Sequence, residues 1–179
     1  MKTIFLLRHA KSSWDDPRLN DFDRPLASRG IKSSKKIGKY LKKNKLTPDI
    51  VYCSSATRAK QTWELVNRIV EKKKNVKYIN KLYMANSSDF MDVIKKTDND
   101  FKSLMLVSHN PGIESIAIEL SKNENNKFHQ IINIKYPTGA LAIIKFNLSD
   151  WGKINYKKGE IYEFIKPKEL WYFLYIILF

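Results

Sequence analysis

The sequence predicts an α/β fold, a three-layer αβα sandwich with a mostly parallel central sheet. The main observation is that short apolar runs alternate with longer amphipathic stretches, as they do in repeated βα units. The first run is apolar throughout, which is typical of a parallel strand that helices cover on both faces. A chain of 179 residues with 43% hydrophobic content is long enough for one domain with an ample core.

The first half of the chain supplies three predicted strands, at Thr3–Leu7, Ile50–Cys53 and Val76–Ile79. A polar loop, Lys11–Asp23, follows the first strand. Two helices are expected between the strands. Ser28 caps the first of them, which runs through Leu41, and Ser54 or Ser55 caps the second.

The second half continues the same alternation. Ser87 or Ser88 is expected to open a third helix. Asn110 and Pro111 form an N-cap and first-turn pair for a fourth helix. The remaining predicted elements are the strands Leu104–Val107, Ala140–Phe146 and Glu160–Ile165, the helix Ile113–Leu120, and a polar loop at Lys122–Lys127.

Arg8 and His9 directly follow the first predicted strand. Ligands of open α/β sheets bind at the carboxyl ends of the strands, so both side chains are expected in a binding site. A guanidinium can hold phosphate oxygens in a two-pronged fork, and a neutral imidazole can attack phosphorus. His109 ends the strand at Leu104–Val107 in the same way. The sheet edge is therefore predicted to hold a phosphate site.

The arginines strengthen this interpretation, because only 6 of the 33 basic residues are Arg. In such a lysine-rich chain, four arginines in the first third suggest positions where the fork geometry matters; they are Arg8, Arg24, Arg29 and Arg58. The histidines have two other interpretations. They could be structural residues satisfied within the core, or metal ligands. The second reading lacks a third ligand at usable spacing, so no metal is expected.

The charge and the cysteine content limit the classes of function. A net charge of +15 favours phosphorylated or acidic partners, but no nucleic-acid-binding motif is recognisable. The single cysteine, Cys53, excludes an internal disulfide and is expected in the core. No signal peptide and no apolar segment of roughly 20 residues is apparent, so a cytoplasmic protein is expected.

Six segments together resemble a known family, and they occur in the family's order. They are LLRHAKSSW (Leu6–Trp14), DFDRPLASRG (Asp21–Gly30), SSATRAKQT (Ser54–Thr62), SHNPG (Ser108–Gly112), PTGALA (Pro137–Ala142) and KPKEL (Lys166–Leu170). The chain is identified by them as similar to the histidine phosphatase superfamily, which has the phosphoglycerate-mutase-like fold. Within it the chain most resembles the compact SixA-type phosphohistidine phosphatases. The likeness implies a histidine phosphatase domain over residues 1–170.

The resemblance implies a role for each candidate residue. His9 would be the nucleophile that becomes phosphorylated, and Arg8 and Arg58 would clamp the phosphoryl oxygens. His109 would be the second active-site histidine and would contact the phosphoryl group. Arg24 would be a further substrate-binding arginine. The superfamily uses no metal, so neither a metal nor another cofactor is expected.

The chain departs from the larger superfamily members at Lys81–Ala85, which lacks the glutamate that protonates an alcohol leaving group. Cleavage of a P–N bond needs less help from an acid than cleavage of an alkyl ester. A phosphohistidine-bearing protein is therefore the expected substrate, unless Asp15, Asp16 or Asp21 supplies the acid from the loop. The alternatives are a small-molecule phosphomonoesterase, a non-catalytic module that binds a phosphorylated ligand, and a basic nucleic-acid binder.

The apolar tail, Trp171–Phe179, follows the point where the resemblance ends. Its nine residues are too few to span a bilayer. Packing against the core is the simplest expectation for it. A dimer contact or a shallow attachment to a membrane surface is the alternative.

Overall fold

A computed structural model of the chain describes residues 1–71, 75–122 and 126–171. Within these ranges six strands form one sheet in the order β3-β2-β4-β1-β5-β6. The strands are β1 (Lys2–Arg8), β2 (Ile50–Ser54), β3 (Asn75–Ile79), β4 (Ser103–Ser108), β5 (Leu141–Phe146) and β6 (Glu160–Ile165).

The sheet is mostly parallel, as predicted. β3, β2, β4 and β1 pair in parallel, whereas β5 runs antiparallel to both of its neighbours, β1 and β6. The registers align the carboxyl ends of the central strands, because Arg8 lies opposite Ser108 and Cys53 lies opposite Val107. The residues that follow β1, β2 and β4 therefore meet at one edge of the sheet.

Helices cover both faces of the sheet, which confirms the three-layer αβα sandwich. The helices are α1 (Ser28–Lys43), α2 (Thr57–Val70), α3 (Ser87–Lys95), α4 (Gly112–Leu120) and α5 (Lys127–Ile134). Short 3-10 helices span Asn80–Leu82, Trp151–Lys153 and Glu169–Trp171. α1 and α2 pack against one face, and α3, α4 and α5 pack against the other.

Each face of the sheet has its own apolar core, and β1 contributes to both because successive side chains of a strand point to opposite faces. Ile4 and Leu6 pack with Phe90 of α3, whereas Phe5 and Leu7 pack with Trp63 of α2. All of these side chains are buried. Burying one large apolar side chain contributes about 1.5–3 kcal/mol, so the two cores hold β1 and its carboxyl end firmly in place.

The predicted caps of the first two helices are wrong. α1 begins at Ser28 with Ala27 as its N-cap residue, and α2 begins at Thr57 with Ala56 in that position. Ser54 accepts a hydrogen bond from the Ala56 amide, ahead of the helix, and its hydroxyl also contacts His109. The Ser54 hydroxyl thus contacts His109 at the edge of the sheet and does not cap α2.

α3 begins at Ser87, one of the two residues expected to open it, and Asn86 caps it in a capping box with Asp89. The start of α4 differs from expectation. The N-cap residue of α4 is Pro111 and not Asn110, whose side-chain amide donates to the carboxylate of Glu114.

Sequence reasoning missed α5, and part of the predicted loop at Lys122–Lys127 is helical from Lys127 onwards. The helix has only 8 residues, with polar and apolar side chains intermixed, and Asn126 caps it. A helix this short is stable through its packing and not through its intrinsic propensity, so the sequence pattern is weak.

Among the residues that the structure describes, no helix combines the length and the apolar character that a membrane span requires. Most of the predicted tail, residues 172–179, lies outside the described residues.

Candidate active site

Two histidines meet at the carboxyl edge of the sheet. His9 follows β1 and His109 follows β4, and these strands are parallel neighbours. The His9 amide donates to the carbonyl of Ser108, and the two imidazole centroids lie 4.8 Å apart. Both side chains are buried. The prediction that the two strand ends deliver their histidines to one place is therefore confirmed by the geometry.

The hydrogen bonds of His9 define its tautomer. Its Nδ1 lies 2.7 Å from the carbonyl oxygen of Ala10, which can only accept, so Nδ1 carries the proton. The Nε2 atom lies 3.3 Å from Nε of Arg58 and accepts a hydrogen bond from it. Because Nε2 keeps a lone pair, an imidazole held in this way can act as a nucleophile through that atom.

Both histidines are neutral in the folded protein. Burial lowers the pKa of His9 to about 3, and the positive charges of Arg58 and Arg8 act in the same direction. Burial also lowers the pKa of His109 to about 3, with smaller contributions from His9 and Arg58. Near neutral pH, no proton has to leave His9 before it can react.

We expect the imidazole C–H signals of His9 and His109 to stay constant in a proton NMR titration from about pH 8 to about pH 5, because both groups protonate far below the usual histidine value of about 6.5. The signals are assigned with His9→Ala and His109→Ala, each of which lacks one of them. A titration midpoint near 6.5 for either residue would contradict the neutral pair.

Arg58 lies on the first turn of α2 and is held in place by the loop that follows β1. Its two terminal nitrogens bond to the backbone carbonyl and the carboxylate of Asp21, the latter at 2.8 Å. Together with the bond to His9, these contacts use three of its five N–H groups. Since Arg58 is only 5% exposed and makes these three hydrogen bonds, its guanidinium is fixed beside Nε2 of His9.

Asp21 links two arginines. Its Oδ1 accepts from Arg24 at 2.9 Å, and its Oδ2 accepts from Arg58 and from the hydroxyl of Tyr83, each at 2.8 Å. Partial burial raises the pKa of this carboxyl, but the hydrogen bonds from Tyr83 and Arg58 outweigh that effect and lower the pKa to about 2. Asp15 is exposed and Asp16 pairs with Arg18. Of the three acidic residues considered in this loop, Asp21 is the one that the fold brings to the arginines.

Arg24 is buried behind this carboxylate. Besides Asp21, its guanidinium donates to the carbonyl of Ser13 and the hydroxyl of Ser12, at 3.0 and 2.9 Å. The indole of Trp14, which is 70% exposed, stacks on it. The structure thus brings Arg24 to the site mainly through its contact with Asp21.

Arg8 is anchored from the opposite side by the segment that precedes β5. One terminal nitrogen donates to the carbonyl of Tyr136 at 2.6 Å. The buried phenol of Tyr136 donates to the carbonyl of Leu6 at 2.5 Å and accepts from the amide of Ala142 at 3.0 Å. Sequence analysis missed Tyr136, because it lies before a strand and not after one.

Two buried nitrogen atoms at this edge have no hydrogen-bond partner within residues 1–71, 75–122 and 126–171: Nε of Arg8 and Nδ1 of His109. The other ring nitrogen of His109 lies 2.8 Å from Oγ of Ser54. Nε of Arg8 is a donor, and Nδ1 of His109 is one in the tautomer whose other nitrogen accepts from Ser54. An unsatisfied buried donor costs about 1–3 kcal/mol. A phosphoryl group would supply acceptor oxygens for such donors, so the arrangement suits an oxyanion ligand.

Tyr83 was also missed, although it lies within the stretch Lys81–Ala85 that was noted for its lack of a carboxylate. Its ring packs edge-on against His109 and Phe22, with centroids 5.3 and 5.0 Å away. Gly112 lets the backbone that follows Tyr83 approach α4 closely, because a Cβ atom there would collide with the carbonyl of Ala85. Lys81, by contrast, pairs with the acidic residues of α3. No feature of the sequence singles out Tyr83.

No three His, Cys, Asp or Glu side chains of the described residues gather in a way that could hold a metal ion. The polar groups at the sheet edge are instead arginines, neutral imidazoles and one ionised carboxylate.

Comparisons with known proteins agree with this geometry. Residues 4–82 match the model of the histidine phosphatase superfamily, branch 1. An uncharacterized protein of Mycobacterium leprae is 32% identical over 168 residues, which cover 90% of this chain and 100% of that protein. Phosphohistidine phosphatase SixA of Escherichia coli is 23% identical over 156 residues, 86% of this chain and 91% of that enzyme.

The fold has close counterparts among solved structures. One is a protein of Agrobacterium tumefaciens provisionally assigned as phosphohistidine phosphatase SixA, which superposes with a TM-score of 0.79 at 26% identity. The match covers 93% of this chain and 98% of that one.

Proposed function

This chain belongs to the histidine phosphatase superfamily, and we propose that it removes phosphate from phosphohistidine on a partner protein, with His9 as the nucleophile. Membership of the superfamily supports phosphatase activity. The observation that carries the proposal is the state of His9, whose Nδ1–H donates to the carbonyl of Ala10, so that Nε2 keeps a lone pair. This lone pair accepts a long hydrogen bond from Arg58 and can instead be directed at phosphorus. A neutral imidazole in this state attacks phosphorus without first losing a proton.

In the first step, Nε2 of His9 forms a bond to phosphorus while the bond to the leaving group breaks. Arg8 and Arg58 stabilise the charge on the phosphoryl oxygens, and His109 donates a further hydrogen bond from its unpartnered Nδ1. Arg24 acts through Asp21, which it helps to hold against Arg58. In the second step water attacks phospho-His9, inorganic phosphate departs, and the neutral imidazole is restored.

The choice of phosphohistidine over an ester follows from the lack of a proton donor. An alkoxide leaving group needs a proton from a positioned acid. The Asp21 carboxyl is ionised at neutral pH, because its pKa is lowered to about 2, and therefore cannot supply that proton. A phosphorylated imidazole needs no such acid if its far nitrogen already carries a proton, because it then departs as neutral imidazole.

A panel of three substrates tests the proposal. We expect kcat/KM to be highest for a protein phosphorylated on histidine, intermediate for an aryl phosphate, and lower by about 100-fold or more for 3-phosphoglycerate, since general acid catalysis contributes about 10²–10⁴-fold. Release of inorganic phosphate is measured for each substrate under identical conditions. His9→Ala, assayed in parallel, sets the background.

If 3-phosphoglycerate is the best of the three substrates, the protein is a small-molecule phosphomonoesterase and contains a proton donor. Asp21 and Glu114, which faces Arg8 closely enough to affect its pKa, are then the first residues to replace. If all three substrates bind but none is hydrolysed, the chain is a binding module for phosphorylated ligands.

A further inference from the structure

The Asp21 carboxylate has hydrogen-bonding capacity that its protein partners do not use. A carboxylate offers about four acceptor positions. Arg24 occupies one on Oδ1, while Arg58 and Tyr83 occupy two on Oδ2. The side chain is 47% exposed, unlike the arginines that it contacts, which are 6–7% exposed. Oδ1 can therefore accept another hydrogen bond from a group that enters the site from solvent.

The carboxylate also lies close to the reacting atoms. The guanidinium of Arg58 spans the gap, with Nε 3.3 Å from Nε2 of His9 and a terminal nitrogen 2.8 Å from Oδ2 of Asp21. One guanidinium group thus separates the nucleophilic nitrogen from the carboxylate. The exposed Asp21 carboxylate is therefore a candidate to contact the leaving group of a phosphoryl group bound by His9 and Arg58.

A leaving imidazole has one chemical requirement that an ester does not have. Its far nitrogen must carry a proton while the P–N bond breaks, since otherwise the ring would depart as an unstable anion. His9 meets the matching requirement inside the protein, where its Nδ1–H donates to the carbonyl of Ala10. An acceptor at the mouth of the site would hold the far N–H of the substrate's ring in the corresponding way.

We propose that Asp21 determines specificity for phosphohistidine by accepting a hydrogen bond from the far N–H of the departing imidazole. The inference rests on the proposed function, because it takes His9 as the group that receives the phosphate. Asp21 would then accept a hydrogen bond from the N–H of the substrate's ring, as the carbonyl of Ala10 accepts one from Nδ1–H of His9.

The phosphoryl group passes from the imidazole ring of the substrate to the imidazole ring of His9. The bond between phosphorus and the near nitrogen of the substrate's ring breaks, and its electron pair stays on that nitrogen. The lone pair of Nε2 of His9 forms the new bond to phosphorus. Each ring keeps the proton on its other nitrogen, one bonded to Asp21 and the other to Ala10. The substrate's ring departs as neutral imidazole, and no proton has to be supplied.

The same carboxylate disfavours phosphate esters. Since Asp21 is ionised at neutral pH, it cannot protonate an alkoxide leaving group. Its carboxylate can accept a hydrogen bond, but the leaving oxygen of an ester carries no N–H that could donate one. Tyr83 and Phe22, which pack edge-to-face beside it, give the pocket mouth aromatic surface against which an imidazole ring can pack.

The test compares wild type and Asp21→Asn on two small substrates, free phosphohistidine and p-nitrophenyl phosphate. We expect kcat/KM for phosphohistidine to fall at least about tenfold more than kcat/KM for the aryl phosphate, because a hydrogen bond to a charged group is lost for one substrate alone. Both values will fall somewhat, since Asn holds Arg58 less well than Asp does. The ratio of the two values is therefore the decisive quantity.

The pH dependence of kcat with phosphohistidine gives a second readout. A carboxylate favours the protonated form of a neighbouring ring, so it keeps the leaving imidazole protonated to higher pH. In Asp21→Asn the alkaline loss of kcat should consequently begin at lower pH than in wild type. A residue that merely positions the arginines would not move this limb of the profile.

Asp15→Asn is the matched control, because it removes the same charge from an exposed position of the same loop. It should leave both kcat/KM values and the pH profile unchanged. An equal loss on both substrates in Asp21→Asn, with an unmoved pH profile, would overturn this inference alone and reduce Asp21 to a positioning residue. Wild-type protein that hydrolyses the aryl phosphate but not phosphohistidine would overturn the proposed substrate, and this inference with it.

Discussion

Replacing His9 with alanine should lower kcat/KM by at least about 1,000-fold on every substrate, since a mutant without its nucleophile keeps only the stabilisation from binding and from the arginines. The fold should survive, because His9 lies at the end of β1 while the apolar residues that anchor this strand, Ile4–Leu7, are untouched. The measurement is steady-state release of phosphate together with thermal unfolding. Mass spectrometry of a rapidly quenched wild-type reaction should locate phosphate on His9.

The third histidine supplies the control for this substitution. His129 on α5 is also buried, but it lies on a helix that packs on the sheet and not at the strand ends. His129→Ala should keep full activity, apart from any loss of thermal stability. Near-normal turnover in His9→Ala would rule out His9 as the nucleophile.

Arg58→Lys should lower kcat/KM by at least about tenfold, or roughly 1.4 kcal/mol of transition-state stabilisation, although the charge is retained. Arg58 contacts Nε2 of His9 with one nitrogen and Asp21 with the two others. A lysine has one nitrogen at the end of a flexible chain, so it cannot keep these contacts and also hold a phosphoryl oxygen. Steady-state kinetics with the aryl phosphate measures the effect.

Arg68→Lys is the matched control, because Arg68 is an exposed arginine on the last turn of the same helix. Its replacement should leave kcat/KM within experimental error of wild type. An unchanged kcat/KM in Arg58→Lys as well would show that only charge matters at this position, and the fork geometry would then have no role.

The central part of the site could be predicted from the sequence because it obeys one simple rule. Residues that directly follow parallel strands meet at one edge of the sheet, so the strand ends at Arg8 and at Ser108 brought His9 and His109 together in the prediction. Arg58 could be predicted because it lies on the first turn of the helix after β2. These positions depend on local pattern and topology alone.

The rest of the site depends on contacts between segments far apart in the chain. Asp21 was noticed as an acidic residue, but its pairing with Arg24 and Arg58 depends on how the loop after β1 folds back over α2. Tyr83 lies 62 positions from Asp21 along the chain. Tyr136 precedes the antiparallel strand β5, where the rule about strand ends does not apply. Neither spacing nor periodicity encodes such contacts.

The hydrogen bonds of the Tyr136 phenol imply that the two halves of the site differ in mobility. Leu6 and Ala142 lie opposite each other in the β1–β5 pair, and the hydroxyl bridges them. Since the backbone carbonyl of the same residue accepts a hydrogen bond from Arg8, displacing Tyr136 would loosen both this arginine and the β1–β5 pair. Openings of core strands are among the rarest that amide hydrogen exchange detects. The half of the site built on Asp21 rests on a loop with exposed residues, where we expect faster amide exchange than in the sheet. The phosphate site thus joins a part held by the sheet, at Arg8, to a part held by a surface loop, at Asp21.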